Sequence, residues 1–214
     1  MITYLLRHGQ TSLSASYRVN GDVRLVVPLD ETGREQCQRA RIAIPVAEVR
    51  SCVSSEFPRA IETAELILQS AKVPVTADQR LNELDYGAFE ARPFDEYAAW
   101  LCQHGPHARP PGATESQREA IRRMLDGMRS ALTLPGPRIV VTHGLALSVI
   151  SWRQHHELTE GAVLFSEAPC ATPIVVVDAD LRRTIDALAT DLGREPIATA
   201  AARVIATGDR PKAC

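Results

Sequence analysis

The sequence lacks the features that mark secreted and membrane-bound proteins. Its five cysteines are widely spaced, odd in number and without a Cys-x-x-Cys pair, a pattern typical of reduced thiols and not of a disulfide framework. The N-terminus has no basic leader followed by an apolar stretch of about 7 to 15 residues. The uncharged run between Arg138 and Arg153 is shorter than the roughly 20 residues that cross a bilayer. We therefore expect a cytoplasmic protein with no membrane partner.

A strong charge of either sign is also missing. The 214 residues carry a net charge of -2, with a pI near 6.3, which argues against a broad basic surface for nucleic acid. Any anion must therefore bind in a local pocket. The hydrophobic content of 45% is enough to bury one sizeable core. We expect a single domain over residues 1–214, and a homodimer is left open.

Hydrophobic patterning predicts an alternation of strands and helices. The predicted strands are 2–6, 52–55, 73–77, 138–142 and 174–177, and the predicted helices are 32–44, 58–71, 93–103, 115–133 and 144–155. A capping box at Thr32-Gly33-Arg34-Glu35 is expected to open the helix at 32–44. This order predicts an α/β fold, a three-layer α/β/α sandwich with a mostly parallel sheet.

Two of the predicted helices flank a stretch rich in glycine and proline at 105–112. We expect these helices, 93–103 and 115–133, to form a small helical cap over one sheet edge, as an insertion at about 88–118. The chain after Val177 has a pattern rich in alanine and arginine that predicts no one structure.

The segment Leu5-Leu6-Arg7-His8-Gly9-Gln10-Thr11 places a cation and an imidazole at the end of the first predicted strand. Open α/β sheets bind ligands at the C-terminal ends of their strands. A histidine there can attack a phosphoryl group when its attacking nitrogen is unprotonated, its other nitrogen is hydrogen-bonded and cations neutralise the phosphate. We predict that His8 is a nucleophile and that Arg7 is one of the cations. An Arg-His-Gly tripeptide alone is weak evidence, so other segments must complete the site.

Two further segments supply cationic and imidazole groups at the same predicted edge. Arg59 lies in the first turn of the helix after the second strand, where helix amides and a guanidinium can bind one anion together. His143 directly follows the strand at 138–142, so we expect it near His8. Taken alone, Arg59 would be read as a solvated helix residue and His143 as a satisfied histidine at a strand end.

A loop rich in acidic residues supplies the candidate proton donor. Glu83 could protonate the leaving oxygen and later activate water if burial raises the pKa of its carboxyl group. Asp85 and Glu90 compete with Glu83 for this role. Any one of the three would otherwise be read as part of a hydrated acidic loop.

Together these segments resemble the histidine phosphatase superfamily, the phosphoglycerate mutase-like clan, over at least residues 2–150. Leu6 to Thr11 resembles its nucleophile signature, 54–64 its second-arginine helix, 83–90 its acid loop and 142–144 its second-histidine turn. The resemblance implies that His8 is the phosphohistidine nucleophile, that Arg7, Arg59 and His143 form the phosphate pocket, and that Glu83 is the proton donor.

Part of the phosphate pocket departs from the family pattern. Ser14 replaces a common asparagine, Ala91 replaces a common glycine, and the approach to Pro28 is longer than usual. These departures affect the phosphate contacts of the 10–21 loop, where Arg18, Asn20 and Gly21 could compensate. We predict phosphate contacts from Thr11, Asn20 and Gly21.

Four kinds of function remain open at this point. We favour a phosphomonoester hydrolase without metal or cofactor, acting on a small-molecule phosphate ester. A phosphoglycerate-mutase-type transferase would need additional cations, and the loop and cap offer only Arg18, Arg24, Arg92 and Arg109. A non-catalytic anion-binding protein would not need the complete set of catalytic residues.

A zinc hydrolase is the remaining alternative. It would use Cys102, His104 and His107, with His155 and His156 further along the chain. The first cluster lies in a stretch rich in glycine and proline without a matching second pair of ligands, which argues against this alternative.

Overall fold

The computed structural model describes residues 1–69, 71–156 and 168–194. Within these ranges the strands are β1 (Ile2–Arg7), β2 (Ser51–Ser54), β3 (Val75–Ala77), β4 (Arg138–Thr142) and β5 (Ile174–Val177). The α-helices are α1 (Ser12–Ala15), α2 (Glu31–Ala43), α3 (Pro58–Leu68), α4 (Phe94–His104), α5 (Gln117–Ala131), α6 (Gly144–His155) and α7 (Asp178–Arg194). Short 3₁₀ turns lie at Val46–Glu48, Gln79–Leu81 and Gly87–Phe89.

The strands form one mixed sheet in the order β3-β2-β4-β1-β5. Strands β3, β2, β4 and β1 run parallel to one another, whereas the edge strand β5 is antiparallel to β1. All five residues of the central strand β4 are buried, as expected for a parallel strand covered on both faces. The α/β fold and the mostly parallel sheet predicted from the sequence are thus confirmed. In the described part of the chain, no helix has the length and apolar character needed to cross a membrane.

Alternate residues of the strands point to opposite faces and build two hydrophobic cores. Leu5 and Val140 pack in the core that contains buried residues of α5, α6 and α7. Leu6 and Val141 pack in the core that contains buried residues of α2 and α3. Because strand side chains alternate with a period of two, one sheet binds two helical layers and forms the three-layer sandwich.

The start of α2 differs from the sequence-based expectation. The helix begins at Glu31, and the side chain of Asp30 accepts a hydrogen bond from the Gly33 amide at 2.7 Å. The predicted capping box opening at Thr32 is therefore wrong. Aspartate and threonine are both good N-caps, so residue preference alone did not decide between the two positions.

The helix α5 lies in a sandwich layer and not in a cap. Its Ile121, Met124 and Met128 are buried in the same core as Leu5 of the sheet. An amphipathic pattern shows that one side of a helix is buried, but not what covers it. The segment 88–118 contains α4, and a capping role for that segment stays a prediction. Part of the chain after Val177, left unassigned above, forms α7; residues 195–214 lie outside the described residues.

A buried ion pair joins three elements at the far end of the sheet from the predicted site. The Arg138 guanidinium donates to the Thr3 hydroxyl at 2.7 Å and lies 2.9 Å from the Asp178 carboxylate. Thr3 also donates to Asp178 at 2.9 Å. The Arg138 side chain is fully buried, so its charge depends on Asp178 for compensation.

Replacement of Asp178 by asparagine tests this link. We expect Asp178→Asn to lower the free energy of unfolding by roughly 2–4 kcal/mol, because it leaves the buried Arg138 charge without its counter-ion. Asp180→Asn is the matched control in the same helical turn; its side chain is 51% exposed, and we expect a change within about 0.5 kcal/mol. Urea unfolding measures both values, and equal losses would contradict the importance of the buried pair.

Candidate active site

Three neighbouring parallel strands bring the predicted residues together at one edge of the sheet. Arg7 is the last residue of β1 and is paired with Thr142, the last residue of β4. The His8 amide then donates to the Thr142 carbonyl at 3.0 Å. His8 and His143 therefore leave adjacent strands at the same level, and their ring centroids are 5.3 Å apart.

The His8 imidazole is held in one tautomer. Its Nδ1 lies 2.7 Å from the Gly9 carbonyl oxygen, which can only accept, so Nδ1 carries the hydrogen and Nε2 keeps its lone pair. Burial, with the charges of Arg59 and Arg7, holds the pKa of His8 well below its ordinary range. The ring is thus neutral at neutral pH and has an unprotonated nitrogen, as a nucleophile requires.

Close backbone packing fixes the position of His8. A Cβ added at Gly9 would lie 2.7 Å from the Gly33 carbonyl oxygen of α2, so a larger residue does not fit there. The Gly9 amide donates to the Thr63 hydroxyl at 2.9 Å, and that hydroxyl donates to the Arg59 carbonyl at 2.7 Å. Thr63 therefore links the nucleophile segment to the helix that carries Arg59.

His143 is fully buried and bonded through both ring nitrogens. The Arg59 guanidinium donates to Nδ1 at 3.2 Å, which places the ring hydrogen on Nε2; that nitrogen lies 2.8 Å from the Ser55 hydroxyl. Ser55 in turn donates to the Asn82 side-chain oxygen at 2.9 Å. Burial and the Arg59 charge hold the pKa of His143 well below its ordinary range.

Arg59 is 2% exposed, and its guanidinium is surrounded by neutral partners. It donates to the side-chain and backbone oxygens of Asn20 and lies 4.2 Å above the Phe57 ring. Burial lowers its pKa to about 10, so the group stays positive at neutral pH. Among the described residues no carboxylate forms an ion pair with it. Its charge is therefore available to an entering anion.

Arg7 contributes a second cation at the same place. Its guanidinium donates to the Ala168 carbonyl at 2.9 Å, and it lines the same cavity as His8 and Arg59. Its charge also helps to lower the pKa values of both histidines. The predicted cation pair of Arg7 and Arg59 is thus brought together beside His8.

Glu83 is the acidic-loop residue whose carboxyl group reaches this cavity. The residue is half-buried, and desolvation raises the pKa of its carboxyl group, against the opposing hydrogen bond from the Leu84 amide and the Arg59 charge. The two competing carboxylates are occupied elsewhere. Asp85 accepts hydrogen bonds from Gly87 and Thr114, and Glu90 accepts from Asn20 and Gly21.

The three additional phosphate contacts predicted from the loop have different surroundings. Thr11 is buried, lines the cavity and caps α1 through its hydroxyl. Asn20 also lines the cavity, where it binds Arg59. The Gly21 amide donates to the Glu90 carboxylate at 2.9 Å and lies in a neighbouring groove. Thr11 and Asn20 are therefore near the two arginines, whereas the Gly21 amide is directed to Glu90.

Sequence reasoning assigned no role to Ser55, Thr63 or Asn82, which position the reacting groups. Ser55 directly follows β2 at the same sheet edge as His8 and His143, so strand ends provided a signal for it. Asn82 contacts Ser55 across 27 residues and had no local signal. The substitution noted at Ala91 also has a conformational meaning, because Ala91 has φ of 57°, in the left-handed region that favours glycine.

A cavity of about 170 Å³ is lined by Arg7, His8, Arg59 and Glu83, with Thr11 and Asn20; His143 contacts Arg59 but is not among the described residues that line this cavity. Its charged end contains Arg7, His8, Arg59 and Glu83, while its remaining walls are mainly apolar and aromatic. Among the described residues, no group of three histidine, cysteine, aspartate or glutamate side chains could hold a metal ion. The side chain of His155, part of the zinc alternative, lies outside this description.

Comparison with known proteins gives a consistent assignment. A family model described as histidine phosphatase superfamily (branch 1) matches residues 3–185. A Proteus mirabilis protein described as a probable phosphoglycerate mutase is 33% identical over 156 residues, which is 69% of this chain and 71% of that protein.

Solved structures have the same fold. An Escherichia coli K-12 protein described as a candidate alpha-ribazole-5'-P phosphatase is 27% identical, with a TM-score of 0.60 over 72% of this chain and 78% of its own. The alpha-ribazole phosphatase of Shigella flexneri has a TM-score of 0.65 over 82% of this chain and 89% of its own. At 22% identity, the second likeness concerns the fold alone.

The lowered pKa values of the two histidines predict how stability depends on pH. Both pKa values lie below 6.5 in the folded protein, so below pH 6.5 the unfolded chain binds more protons. This part of the stability is complete above pH 6.5. It falls as the pH drops toward the folded pKa values, by up to roughly 1.4 kcal/mol per pH unit for each histidine.

Urea unfolding between pH 7.5 and pH 5, at closely spaced values (about 0.5 apart), measures this slope. In His8→Asn we expect the slope to be lower than in the wild type by up to roughly 1.4 kcal/mol per pH unit, because one of the two contributing groups is absent. Above pH 4.5, the raised pKa of Glu83 lowers the free energy of unfolding as the pH rises. This contribution is nearly the same in both proteins and largely cancels when one slope is subtracted from the other. Identical slopes in the two proteins would contradict a low pKa for His8.

Proposed function

Since the chain belongs to the histidine phosphatase superfamily, branch 1, we propose that it hydrolyses small phosphate monoesters through a phosphohistidine intermediate on His8. The observation that carries this proposal is the His8 imidazole, buried and neutral beside two arginines, with Nδ1 bonded to Gly9 and Nε2 unprotonated. A ring in this state can attack phosphorus without first losing a proton.

In the first step, Nε2 of His8 attacks phosphorus in line with the leaving oxygen. The N–P bond forms while the ester P–O bond breaks, and the electron pair of that bond goes to the leaving alcohol. Arg7 and Arg59 stabilise the equatorial phosphate oxygens, and we propose that His143, protonated when the anion binds, exchanges its hydrogen bond with Arg59 for one to the phosphate. Glu83 gives its proton to the leaving oxygen, a role that its raised pKa favours.

In the second step, water attacks the phosphorus of phosphohistidine. Glu83, now a carboxylate, takes a proton from that water, while the P–N bond breaks and His8 regains its lone pair. Inorganic phosphate leaves, and Glu83 is again protonated for the next cycle. The positive charges needed come from Arg7 and Arg59, so neither step calls for a metal or cofactor.

A mutase is the second candidate, and the probable phosphoglycerate mutases at 33–34% identity favour it. Such an enzyme must hold a second anionic group near the phosphorylated hydroxyl. Three of the four candidate arginines instead form surface ion pairs: Arg24 with Asp22, Arg92 with Glu96 and Arg109 with Glu119. Arg18 alone of these four lines the cavity, which supports the phosphatase.

The proposal includes the remaining expectations from the sequence. The substrate is a small-molecule phosphate ester, and no nucleic acid or membrane takes part. We place the enzyme in the cytoplasm on the basis of its widely spaced cysteines, and leave a homodimer open. The non-catalytic alternative is disfavoured because Arg7, His8, Arg59, Glu83 and His143 are all present.

Removal of the His8 side chain tests the proposal. We expect His8→Ala to lose at least roughly 1000-fold in kcat on every phosphomonoester while remaining folded, because the nucleophile is absent. His104→Ala, at an exposed histidine outside the cavity, should retain wild-type turnover. Released phosphate and isomerised 3-phosphoglycerate are measured separately in metal-free buffer.

The two products distinguish the candidates. Phosphate release that depends on His8 supports the phosphatase, and isomerisation without release would assign the chain to the mutases. Absence of both from the wild type would favour the anion-binding alternative. Turnover retained by His8→Ala would overturn the role of His8.

Glu83→Gln tests the proton donor. Release of the alcohol in a single turnover should slow by roughly 100-fold or more for an alkyl phosphate, and far less for 4-nitrophenyl phosphate, whose leaving group needs little protonation. Glu90→Gln serves as comparison, because Glu90 binds Asn20 and Gly21; its effect should not depend on the leaving group. An equal loss on both substrates in Glu83→Gln would contradict the acid role.

A further inference from the structure

The Tyr97 hydroxyl is a buried polar group that the mechanism above does not use. Tyr97 is 2% exposed and lines the cavity from α4. Among the described residues its hydroxyl has no hydrogen-bond partner. Buried hydroxyl groups are nearly always bonded, because leaving one unbonded destabilises the folded protein. Because the residue lines the cavity, a small displacement of its side chain on binding would offer this hydroxyl to a ligand.

The walls around Tyr97 are aromatic and apolar. The Tyr97 ring lies edge-to-face with Tyr86 at 4.8 Å between centroids, and Phe94 is 6.2 Å away. Val19, Leu84 and Leu145 complete this part of the cavity. We call these six residues the aromatic pocket. Flat rings pack well against such walls in offset or edge-to-face arrangements.

Few charged side chains line the cavity. Apart from Arg7, His8, Arg59 and Glu83, the one ionisable side chain with a full charge among the described lining residues is Arg18, which donates to the Ala91 carbonyl at 2.8 Å. The aromatic pocket therefore suits one ring better than a carboxylate or a second phosphate.

We propose that the aromatic pocket binds the alcohol part of the substrate as a flat, unsaturated ring, and that the Tyr97 hydroxyl donates a hydrogen bond to an acceptor on it. This inference rests on the proposed phosphatase function. Tyr97 is then a specificity-determining residue, while bond cleavage remains with His8 and Glu83. Burial raises the pKa of Tyr97, which keeps the hydroxyl protonated as a donor.

Ring preference is tested first with two alkyl phosphates that have similar leaving groups. We expect kcat/KM of the wild type to be at least roughly 10-fold higher for benzyl phosphate than for butyl phosphate, because the ring fills the aromatic pocket. Equal values, or a preference for butyl phosphate or 3-phosphoglycerate, would overturn the assignment of the pocket to a ring.

The hydroxyl is tested with Tyr97→Phe on phenyl phosphate and the three isomeric hydroxyphenyl phosphates. For at least one isomer we expect kcat/KM to fall roughly 3- to 10-fold, with phenyl phosphate changed less than about twofold. Comparing variant with wild type on each substrate removes differences in leaving-group reactivity. Tyr4→Phe, a buried tyrosine in the opposite core, should change none of these ratios.

Thermal unfolding distinguishes a hydroxyl that binds the ligand from one that only stabilises the fold, because removal of a stabilising hydroxyl would lower Tm. Since Tyr97→Phe removes an unbonded buried hydroxyl, Tm should rise by roughly 2–4 °C while kcat/KM falls for the hydroxyphenyl ester. A lower Tm, or an equal loss on phenyl and hydroxyphenyl phosphates, would overturn the role of Tyr97. The proposed function fails separately, if phosphate release from these esters does not depend on His8.

Discussion

The parallel pairing of β1 with β4 is the constraint on which the candidate site depends. It pairs Arg7 with Thr142 and joins the His8 amide to the Thr142 carbonyl, so two histidines 135 positions apart leave the sheet side by side. Both strands are buried under helices on both faces, and a shift in register would move their side chains to the wrong core. Stability of the sheet and geometry of the chemistry therefore rest on the same hydrogen bonds.

Burial gives this edge its electrostatic character. Two arginines and two neutral imidazoles lie together with little access to water, so the positive charge is poorly screened. Besides burial, the arginine charges lower the pKa values of both histidines, and the Arg7 charge lowers that of Arg59. An anion bound between them would reverse this effect and favour protonation of His143. The site is thus arranged to bind negative charge, and His143 is expected to change protonation when that charge arrives.

The parts of the fold and the site that could be predicted are those determined by short segments. His8 and His143 follow the apolar strands 2–6 and 138–142, and Arg59 lies in the helix after the second strand. They could be predicted as one site because a parallel sheet collects its strand ends at one edge. The layer occupied by α5 was missed, since an amphipathic pattern does not say which surface covers it. Asn82 was missed because its partner, Ser55, lies 27 residues away in the sequence. Tyr97 was missed because the absence of a partner for its hydroxyl depends on which distant segments pack around it.

The link from Glu90 through Asn20 to Arg59 divides the chain around the cavity into a fixed part and a variable part. Glu90 binds the Asn20 side chain and the Gly21 amide, and Asn20 binds the guanidinium, so these segments hold the phosphate end as one unit. The residues of α4 come after this anchor. Redesign of the alcohol specificity can therefore begin after Arg92, by exchanging or lengthening the chain there, while the phosphate-binding geometry is inherited unchanged.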